Sequence, residues 1–537
     1  MLSATVLIVG AGPVGLWLAL ELRRGAVDVL VIDTKASRDN RDGFSKALNM
    51  SAGTLATFDS RGLATPFLAE GFPLPKAHFG ALETLLDLNE QVLGLRHSYN
   101  LAIPQARTEA ILLRQCEDAG VRFAWGLRFL RLDQLADSVV ATTRKVTGDG
   151  PDGDGETVDI EAAYLVGCDG THSAVRAAAG IPFLGTPGAV TGVLADVQLT
   201  QLPFAAGSSW AVRRTAKGSA MIVTTGDGTH YRFVCMVRDA RDAPASQPLA
   251  MDEVRAHLRD AYGSDLGAHS PAWLSRFGSA CRVAGGMRAG RVLIAGDAAH
   301  QFLPAGGQGM NLGLQDATNL GWKLAFAVNH HRHADAVVER VLDSYSRERV
   351  PVAREVVDNV LAQLALLLAE KPHENALRAV VRESLTVPAV NALWARRMTG
   401  LGEPQAPYRV DDGDDTLVGL RVAHLHAAPA GEADGDDLLV RAMEPGRFVL
   451  LLRGDQAGDE DGHAELRAEA ARWAGGVDVL ACDTRASDSR WDGVTAVLLR
   501  PDERVAWAGR AGTPGVALRT SLAGVLGRWL GERAQGA

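Results

Sequence analysis

The sequence predicts a multidomain α/β protein in which an antiparallel sheet interrupts a parallel one. The chain of 537 residues is too long for one ordinary hydrophobic core. Up to about Gly180, the strand-like runs TVLIVG, VDVLVID and AYLVGCDG alternate with helix-like stretches, as in a parallel sheet. From Ile181 to about Gly286, alternating runs such as SAMIVTTGDG and HYRFVCMVRD predict antiparallel strands. We therefore expect a sheet-built insertion within an α/β domain.

The α/β pattern returns after Arg291 and continues as helices that include EVVDNVLAQLALLLAEKP. A polar stretch, RVDDGDDTLVG, then marks a domain boundary. Beyond it, the runs RFVLLLRG, VDVLACD and VTAVLLRPDERVAWAG predict three strands among helices. These elements are enough for a small α/β domain at the C-terminal end.

Composition excludes several classes of protein. With 64 acidic and 55 basic side chains, the net charge of -9 argues against nucleic acid as a partner. The apolar first twenty residues lack a basic start and are broken by glycines, so we expect no export signal, no membrane association and a cytoplasmic protein. The five cysteines form no CxxC pair and no histidine cluster has metal spacing, so we expect no metal site.

The first motif is VLIVGAGPVGLWLALELRR, an apolar strand that runs into Gly10, Gly12 and Gly15 and then into a helix. These glycines allow a tight turn, close approach to a pyrophosphate and close packing of helix on strand. The helix start offers N–H groups to the phosphates. The next strand ends at Asp33, whose carboxylate can accept hydrogen bonds from ribose hydroxyls. The motif predicts a dinucleotide but does not separate FAD from NAD.

The second motif is YLVGCDGTHSAVRAAAGI, in which a strand runs into Asp169 and Gly170, followed by Ser173 and Arg176. Taken alone, it is equally compatible with an ordinary strand, turn and helix with Ser173 near the helix start.

The third motif, LIAGDAAHQFLPAGGQGMNLGLQDATNLGWKLA, follows more than a hundred residues later. Its strand ends in Asp297, and its glycine-rich loop leads to a helix that begins near Met310 and has a continuous apolar face. A buried helix with a fixed N-terminus forms an anion site, which suits the negative charge of a reduced flavin. A loop that merely turns the chain would explain the glycines but not Asp297 or the buried helix.

In this order and spacing, the three motifs resemble those of the FAD-dependent aromatic hydroxylases, the single-component class A flavoprotein monooxygenases. The runs YNLAIPQARTEAIL, HSPAWLSRFG and LLRPDERVAWAG resemble the branch that acts on anthracyclines, angucyclines and rifamycins. The resemblance implies a GR2-type Rossmann-like FAD-binding domain, an antiparallel-sheet substrate domain and a C-terminal thioredoxin-like domain. The implied boundaries are 1–180 and 287–405 for the two parts of the FAD-binding domain with its helices, 181–286 for the substrate domain and 406–537 for the thioredoxin-like domain.

The resemblance also implies which residues contact FAD. The ADP half is held by Gly10, Gly12, Pro13, Val14, Gly15 and Asp33, Gln105 lies along the cofactor, and Asp297 binds the ribityl chain. The ring is flanked by Pro304, Gly306, Gly307, Gly309, Met310 and Asn311. The other residues that the resemblance implies at the cofactor are Thr34, Lys46 and Asp169.

The implied reaction is hydroxylation of a polycyclic aromatic polyketide by O2 through a flavin C4a-hydroperoxide. The resemblance implies that FAD is bound and that NADPH is a transient co-substrate, and the lack of a second dinucleotide loop in the sequence fits this. The protein is expected to be a monomer or a homodimer. A Baeyer–Villiger or other ring-modifying oxygenase, and a non-catalytic flavin-containing binding protein, remain alternatives.

The sequence departs from the family pattern at four positions. Family members usually carry Glu at Asp33, and SRxxxLxAR where this chain reads SKALNMSAG, so that Lys46 and Gly53 replace arginines. Phe302 stands where His is common. The catalytic residues are not identified by the sequence. The candidates by chemistry alone are His300, Arg213, Arg214 and Tyr231, and each is better explained as a surface or structural residue.

Overall fold

The computed structural model describes residues 2–37, 46–146, 155–188, 190–204, 210–215, 218–237, 247–330, 335–402, 406–409, 415–422, 426–429, 443, 446–453, 460–473, 475–485 and 489–531. Within these ranges, no helix is long and apolar enough to cross a membrane. The same ranges contain no cluster of His, Cys, Asp or Glu that could hold a metal ion.

The N-terminal part of the chain builds the parallel sheet and the helices that cover it. Its strands are β1 (Leu2–Val9), β2 (Val29–Asp33), β3 (Asn49–Met50), β4 (Phe72–Leu74), β5 (Lys76–Ala77), β6 (Leu86–Asp87), β7 (Asn100–Ala102), β8 (Arg122–Trp125), β9 (Leu127–Gln134), β10 (Val139–Lys145) and β11 (Thr157–Gly167). Its helices are α1 (Pro13–Arg24), α2 (Ala52–Ser60), α3 (Thr65–Glu70), α4 (Glu90–Leu93), α5 (Gln105–Asp118) and α6 (Ala174–Ala178).

The middle part builds the antiparallel sheet, and the chain then returns to the first domain. The middle elements are β12 (Phe183–Thr186), β13 (Thr191–Gln198), β14 (Trp210–Thr215), β15 (Gly218–Thr224), β16 (Tyr231–Val237), α7 (Met251–Tyr262), β17 (His269–Gly278) and β18 (Cys281–Ala284). The returning elements are β19 (Arg288–Ala289), β20 (Val292–Ile294), β21 (His300–Gln301), α8 (Gly309–Asn329), α9 (Asp335–Leu367), α10 (Pro372–Ser384) and α11 (Pro388–Met398).

The main sheet places three strand ends side by side. Its order is β19-β20-β11-β1-β2-β8, with β10 and β9 attached to β11, and β20, β11, β1, β2 and β8 run parallel. The second half of the central strand β1, from Val6 to Val9, is buried on both faces, as its unbroken apolar run requires. Since parallel strands end at the same edge, the segments that follow β1, β11 and β20 meet there.

The inserted sheet has the order β14-β15-β16-β13-β17 and is antiparallel throughout. One face packs on α7, where Val193, Ile222 and Phe233 contact Val254 and Leu258 in one apolar cluster. The other face turns toward the returning segment. There, Met236 shares an apolar cluster with Leu303, Ala305 and Val360.

The C-terminal elements are β22 (His426–Pro429), β23 (Phe448–Arg453), α12 (Glu460–Ala471), β24 (Val477–Arg485), β25 (Val494–Leu499), β26 (Val505–Arg510) and α13 (Gly515–Leu530). The sheet order is β22-β24-β23-β25-β26. The sequence predicts three strands here. The run VTAVLLRPDERVAWAG is in fact two strands, because the chain turns back at Glu503, which has φ of 65°.

Candidate active site

The glycines after β1 form a bare loop at the sheet edge. Gly10 has φ of 109°, and a Cβ there would lie 2.3 Å from the carbonyl oxygen of Cys168. A Cβ on Gly15 would lie 2.0 Å from the carbonyl oxygen of Gly10. A Cβ on Gly12, by contrast, would meet no atom within 4 Å. Gly10 and Gly15 therefore permit close packing, whereas Gly12 borders open space at the start of α1, where an anion would be stabilised.

Asp33 holds this loop from the neighbouring strand. Its Oδ2 accepts a hydrogen bond of 2.7 Å from the backbone N–H of Ala11, and its Oδ1 accepts one of 2.9 Å from that of Lys35. The carboxylate remains half-buried, beside the exposed Thr34. Each oxygen keeps acceptor capacity that ribose hydroxyls could use.

Asp33→Ala is expected to weaken FAD binding. The loss should be roughly 1.5–3 kcal/mol for each hydrogen bond to the carboxylate, because those bonds involve a charged acceptor. Titration of apoprotein with FAD, followed by quenching of flavin fluorescence, measures the change. Asp28→Ala is the control, since Asp28 is exposed, precedes the same strand and pairs with Arg122 at 2.6 Å. Equal FAD affinity in the two variants would contradict the role given to Asp33.

The segment after β11 is built around a capped helix. Ser173 is the N-cap of α6, and Asp169 accepts hydrogen bonds from the Ser173 hydroxyl at 2.5 Å and from the Val175 N–H at 3.1 Å. Arg176 donates to the carbonyl oxygen of Ala298 at 2.8 Å. The second motif therefore forms a capped helix start. Through Arg176 it also contacts the third motif.

The segment after β20 exposes one carboxylate within a buried turn. Gly296, Ala298 and Ala299 are buried, whereas Asp297 between them is exposed. A Cβ on Gly296 would lie 2.9 Å from the Val14 side chain, and a Cβ on Gly313 would lie 2.9 Å from Cα of Gly296. The first and third glycine loops thus pack directly on each other, and Asp297 lies beside both.

The loop before α8 is clamped by Asn311. Gly306 and Gly307 have φ of 73° and 65°, so they suit this backbone without strain. The Asn311 side chain donates to the carbonyl oxygens of Gly307 and Asn49, each at 3.0 Å, and accepts from the N–H of Ser51 at 2.8 Å. This arrangement holds the start of α8 against β3.

Gln105 and Lys46 contact the segment before β3, and Lys46 links it to the inserted sheet. Gln105 accepts a hydrogen bond of 3.1 Å from the N–H of Ala47 and so fixes the segment before β3. The carbonyl oxygen of Lys46 accepts one of 2.8 Å from Arg232 on β16. Arg232 and Asp196 form a buried pair at 2.8 and 2.7 Å. The pair holds the inserted sheet against the segment before β3, and the sequence does not predict it because the two residues are far apart in the chain.

Arg213, Arg214 and Tyr231, which are candidates for a substrate base by their chemistry alone, each have structural contacts in the inserted sheet. Arg213 stacks on the Tyr262 ring at 5.8 Å, and Tyr231 packs with Phe204, so both belong to the face that α7 covers. Arg214 lies on the opposite face but donates to the Ala369 carbonyl and to the Asn375 side chain. These contacts give each of the three a structural partner.

His300 belongs to a buried triad beneath the turn that carries Asp297. Its Nε2 lies 2.6 Å from Oδ2 of Asp316 in α8. The Oδ1 atom of Asp316 accepts a hydrogen bond of 2.7 Å from Arg349 of α9. Burial alone would raise the pKa of Asp316, but Arg349 and His300 hold it below its usual value. Asp316 also accepts from the N–H of Gly296 at 3.3 Å. The sequence names His300, yet nothing local in it marks Asp316 or Arg349 as its partners.

The structure shows which residues surround Gly53 and Phe302, two of the positions that depart from the family pattern. At Gly53, a Cβ would lie 2.4 Å from the Thr399 carbonyl oxygen and 3.1 Å from Nη1 of Arg421. The guanidinium of Arg421, from the C-terminal part, therefore occupies the space next to this position. Phe302 stacks near His300, with ring centroids 5.9 Å apart.

The residues present fit FAD. The open space beside Gly12 suits a pyrophosphate, and exposed Asp297 suits the hydroxyls of a ribityl chain. At the α8 end, Oδ1 of Asn49 is buried without a hydrogen-bond partner among the described residues. Such an atom requires a donor, which the N–H edge of a flavin ring can supply.

Comparison with known proteins agrees with this fit. The family model described as FAD binding domain matches residues 3–360, and the one described as aromatic-ring hydroxylase, C-terminal, matches residues 415–532. Anhydrotetracycline monooxygenase of Streptomyces rimosus is 38% identical over 526 residues, covering 96% of this chain and 98% of its own. Dialkyldecalin synthase of Streptomyces rugosporus is 34% identical over 508 residues, covering 94% and 96%.

Among solved structures, anhydrotetracycline hydroxylase from Streptomyces rimosus has a TM-score of 0.82 at 34% identity, covering 99% of this chain and 100% of that one. The predicted resemblance and the mixed α/β fold are thereby confirmed. The match extends from the first glycine loop into the last helix. The chain belongs to the FAD-dependent aromatic-ring hydroxylases and is an FAD-dependent monooxygenase.

Proposed function

We propose that this monooxygenase hydroxylates a polycyclic aromatic polyketide, with NADPH and O2 as co-substrates. The observation that carries the proposal is an apolar wall where the inserted sheet, the loop before α8 and α9 pack together. Met236 and Phe277 of the sheet, Phe302 and Leu303 of the loop and Leu361 of α9 belong to one apolar cluster. A broad apolar wall suits a flat multi-ring substrate, and a relative that shares nearly the whole chain is named for anhydrotetracycline.

In this proposal, FAD lies along the groove defined by the three motifs and supplies the activation of O2 with electrons from NADPH. The α1 N-terminus and Asp33 bind the ADP half. Asp297 holds the ribityl chain, and the N–H groups at the start of α8 stabilise negative charge on the ring. Lys46 and Gln105 border the same groove. Asp169 acts by holding its helix start in place.

The apolar wall has a second task, which is to exclude water from the reacting atoms. The Arg232 and Asp196 pair keeps the wall in register with the segment before β3. His300 acts as a positioning residue through Asp316, since its Nε2 is engaged and its Nδ1 is buried without a hydrogen-bond partner among the described residues.

We also propose the domain division expected from the resemblance, with boundaries near residues 180, 286 and 405. It is supported by the change from the main sheet to the inserted sheet and back. For the C-terminal part, the proposal of a thioredoxin-like domain is supported by the strand order β22-β24-β23-β25-β26 with helices α12 and α13 packed together.

The substrate class is tested with a panel of compounds. Polycyclic quinones, naphthacenes and ansamycins are expected to accelerate NADPH oxidation and to give an oxygenated product. Phenol and p-hydroxybenzoate should accelerate it little or release hydrogen peroxide, because a small ring leaves the apolar wall wet. Oxygen electrode, peroxide assay and product mass measure the outcome. Tightly coupled hydroxylation of phenol, with no response to the polycyclic panel, would show that the substrate class is wrong.

A second candidate is a ring-forming activity beside the monooxygenase reaction, because one relative is named as a synthase of a dialkyldecalin. A Baeyer–Villiger insertion is a third outcome on the same fold. Reactions under ¹⁸O2 distinguish them. Hydroxylation puts one labelled atom on a ring carbon, insertion puts it into a ring ester, and a synthase reaction leaves the product unlabelled and consumes no NADPH.

A further inference from the structure

A cavity of about 450 Å³ lies between the first turns of α8, the middle of α9 and the C-terminal end of α11. Its size is typical of pockets that bind small organic molecules. Among the described residues that line it, none belongs to the inserted sheet, and neither Asp33 nor Asp297 is one of them. The cavity is therefore distinct from the sheet side of the proposed substrate wall and from the two carboxylates proposed to hold FAD.

Gln315 of α8 places an unused amide at this cavity. The residue lines the cavity, is 8% exposed and has no hydrogen-bond partner among the described residues. Its amide lies against Gly400, another lining residue, because a Cβ there would be 2.1 Å from Nε2 of Gln315 and 3.3 Å from its Oε1. Buried side-chain amides normally use both their donor and their acceptor. An unused amide in the wall thus points to a ligand that supplies one of each.

Two further amides in the wall are fixed by hydrogen bonds and keep one unused atom each. Nε2 of Gln308 donates to the Ala305 carbonyl and to Oδ1 of Asn359, each at 3.3 Å. Oδ1 of Asn359 also accepts 2.8 Å from Gln363. Both Gln308 and Asn359 line the cavity and are buried. Among the described residues, Oε1 of Gln308 remains as an acceptor and Nδ2 of Asn359 as a donor.

The rest of the lining is apolar, apart from three charged residues. Glu355 and Arg397 pair with each other at 3.5 Å, and their side chains are 33% and 38% exposed. Asp358 is exposed and leaves an excess of negative charge. An anionic ligand is therefore disfavoured, whereas an uncharged one can pack against the apolar part of the wall. That part consists of Leu312, Val352, Val356, Trp394 and Met398.

We propose that this cavity binds an uncharged aromatic compound that carries a hydrogen-bond donor and an acceptor side by side, as a carboxamide or a lactam does. The donor and acceptor pair with the Gln315 amide, and the ring packs on the apolar part of the wall. Gln308 and Asn311 also line the cavity, so the ligand contacts the segment that we propose to flank the flavin. Binding requires no turnover, so the inference does not depend on the function proposed above.

Binding of 2-naphthamide and of 2-naphthoate to the wild-type holoenzyme tests the ligand class. The two probes have nearly the same size, but the second is an anion. By calorimetric titration, we expect 2-naphthamide to bind at one site and 2-naphthoate to bind at least about tenfold more weakly, because the excess charge at the cavity is negative. Equal affinities, or no binding of 2-naphthamide, would contradict the proposal.

A crystal structure of the wild-type holoenzyme with 2-naphthamide locates the site. We expect the carboxamide of the probe within about 3.5 Å of the Gln315 amide. Density for the probe only elsewhere would overturn the proposal.

Gln315→Met tests the contact in solution. This variant should bind 2-naphthamide about tenfold or more weakly, because two neutral hydrogen bonds are lost. Its midpoint of thermal unfolding should not fall, since the amide has no partner among the described residues. Unchanged affinity would contradict the proposal. If Gln315→Met does not fold, the crystal structure decides, because it uses the wild-type protein.

Two control variants separate this site from a general loss of packing and from the substrate wall. Asn391 is also 8% exposed, but its amide donates to the carbonyls of Leu85 at 2.8 Å and Leu385 at 3.1 Å. Asn391→Leu should therefore lower the midpoint and keep the affinity for 2-naphthamide. Phe277→Ala, in the proposed substrate wall, should keep it as well. If affinity fell in Phe277→Ala and not in Gln315→Met, the probe would occupy the substrate wall and the proposed site would be wrong.

Discussion

Asp297→Ala is expected to yield folded protein that has lost most of its FAD. Asp297 is the exposed carboxylate in an otherwise buried turn, and it lies where the first and third glycine loops pack together. Removing it should cost about 1.5–3 kcal/mol for each hydrogen bond that FAD makes to it. One such bond changes affinity by roughly tenfold or more. The ratio of flavin to protein absorbance after purification, and titration with FAD, measure the effect.

The fold should survive this substitution, because the Asp297 side chain is exposed. Circular dichroism should therefore match the wild type. Asp137→Ala is the control, since the Asp137 side chain is 99% exposed and its ion pair with Arg291 is long at 3.5 Å. Full flavin occupancy in Asp297→Ala, at wild-type affinity, would remove Asp297 from the cofactor site.

Glu348→Gln is expected to lower the free energy of unfolding by about 3–5 kcal/mol, the usual cost of breaking a buried ion pair on one side. Glu348 of α9 accepts from Lys323 at 2.6 Å and from both Nη atoms of Arg500, at 2.9 and 2.8 Å. All three side chains are buried. Without the carboxylate, two cations share a dry site with Asp502. Urea unfolding followed by tryptophan fluorescence measures the change.

The sign of the pH dependence follows from the same contacts. Burial alone would raise the pKa of Glu348, but Arg500 and Lys323 hold it well below its usual value. The stabilisation is therefore complete above the pKa of an unfolded glutamate, and it is lost as pH falls through the lower, folded value. The wild type should lose its advantage over Glu348→Gln as the solution is acidified.

Glu339→Gln provides a control in the same helix. Glu339 pairs with Arg288 at 2.7 Å, but its side chain is 56% exposed. We expect a loss of less than about 1 kcal/mol, as for other surface ion pairs. If the two variants were equally stable, the buried network would have no net role in holding the C-terminal part.

The sequence allowed the local parts of the fold and site to be predicted. The three glycine motifs are each short and continuous, and their strands and helices form where local patterns place them, α8 at Gly309 rather than Met310. The inserted sheet was predicted because alternation marks a half-buried strand. The strands β25 and β26 were merged into one run because a turn at a glutamate with positive φ carries no Gly or Asn signal.

What could not be predicted are pairings between distant residues. Asp196 and Arg232, Asp316 and Arg349, and Glu348 and Arg500 meet only after several elements have packed. Each of these residues, taken alone, resembles an ordinary surface charge in the sequence. The same holds for Arg421, which lies beside Gly53 although hundreds of residues separate them.

The packing of α13 also has a consequence for the order of events during synthesis. Trp322 of α8 lies 5.7 Å from Phe448 and 5.6 Å from Trp529, measured between ring centroids. The helix that we propose to flank the flavin is thus covered by residues that are synthesised long after it. Until then a tryptophan face stays uncovered on the nascent chain, and such faces recruit chaperones or aggregate. We therefore expect FAD to be retained only once α13 has been synthesised.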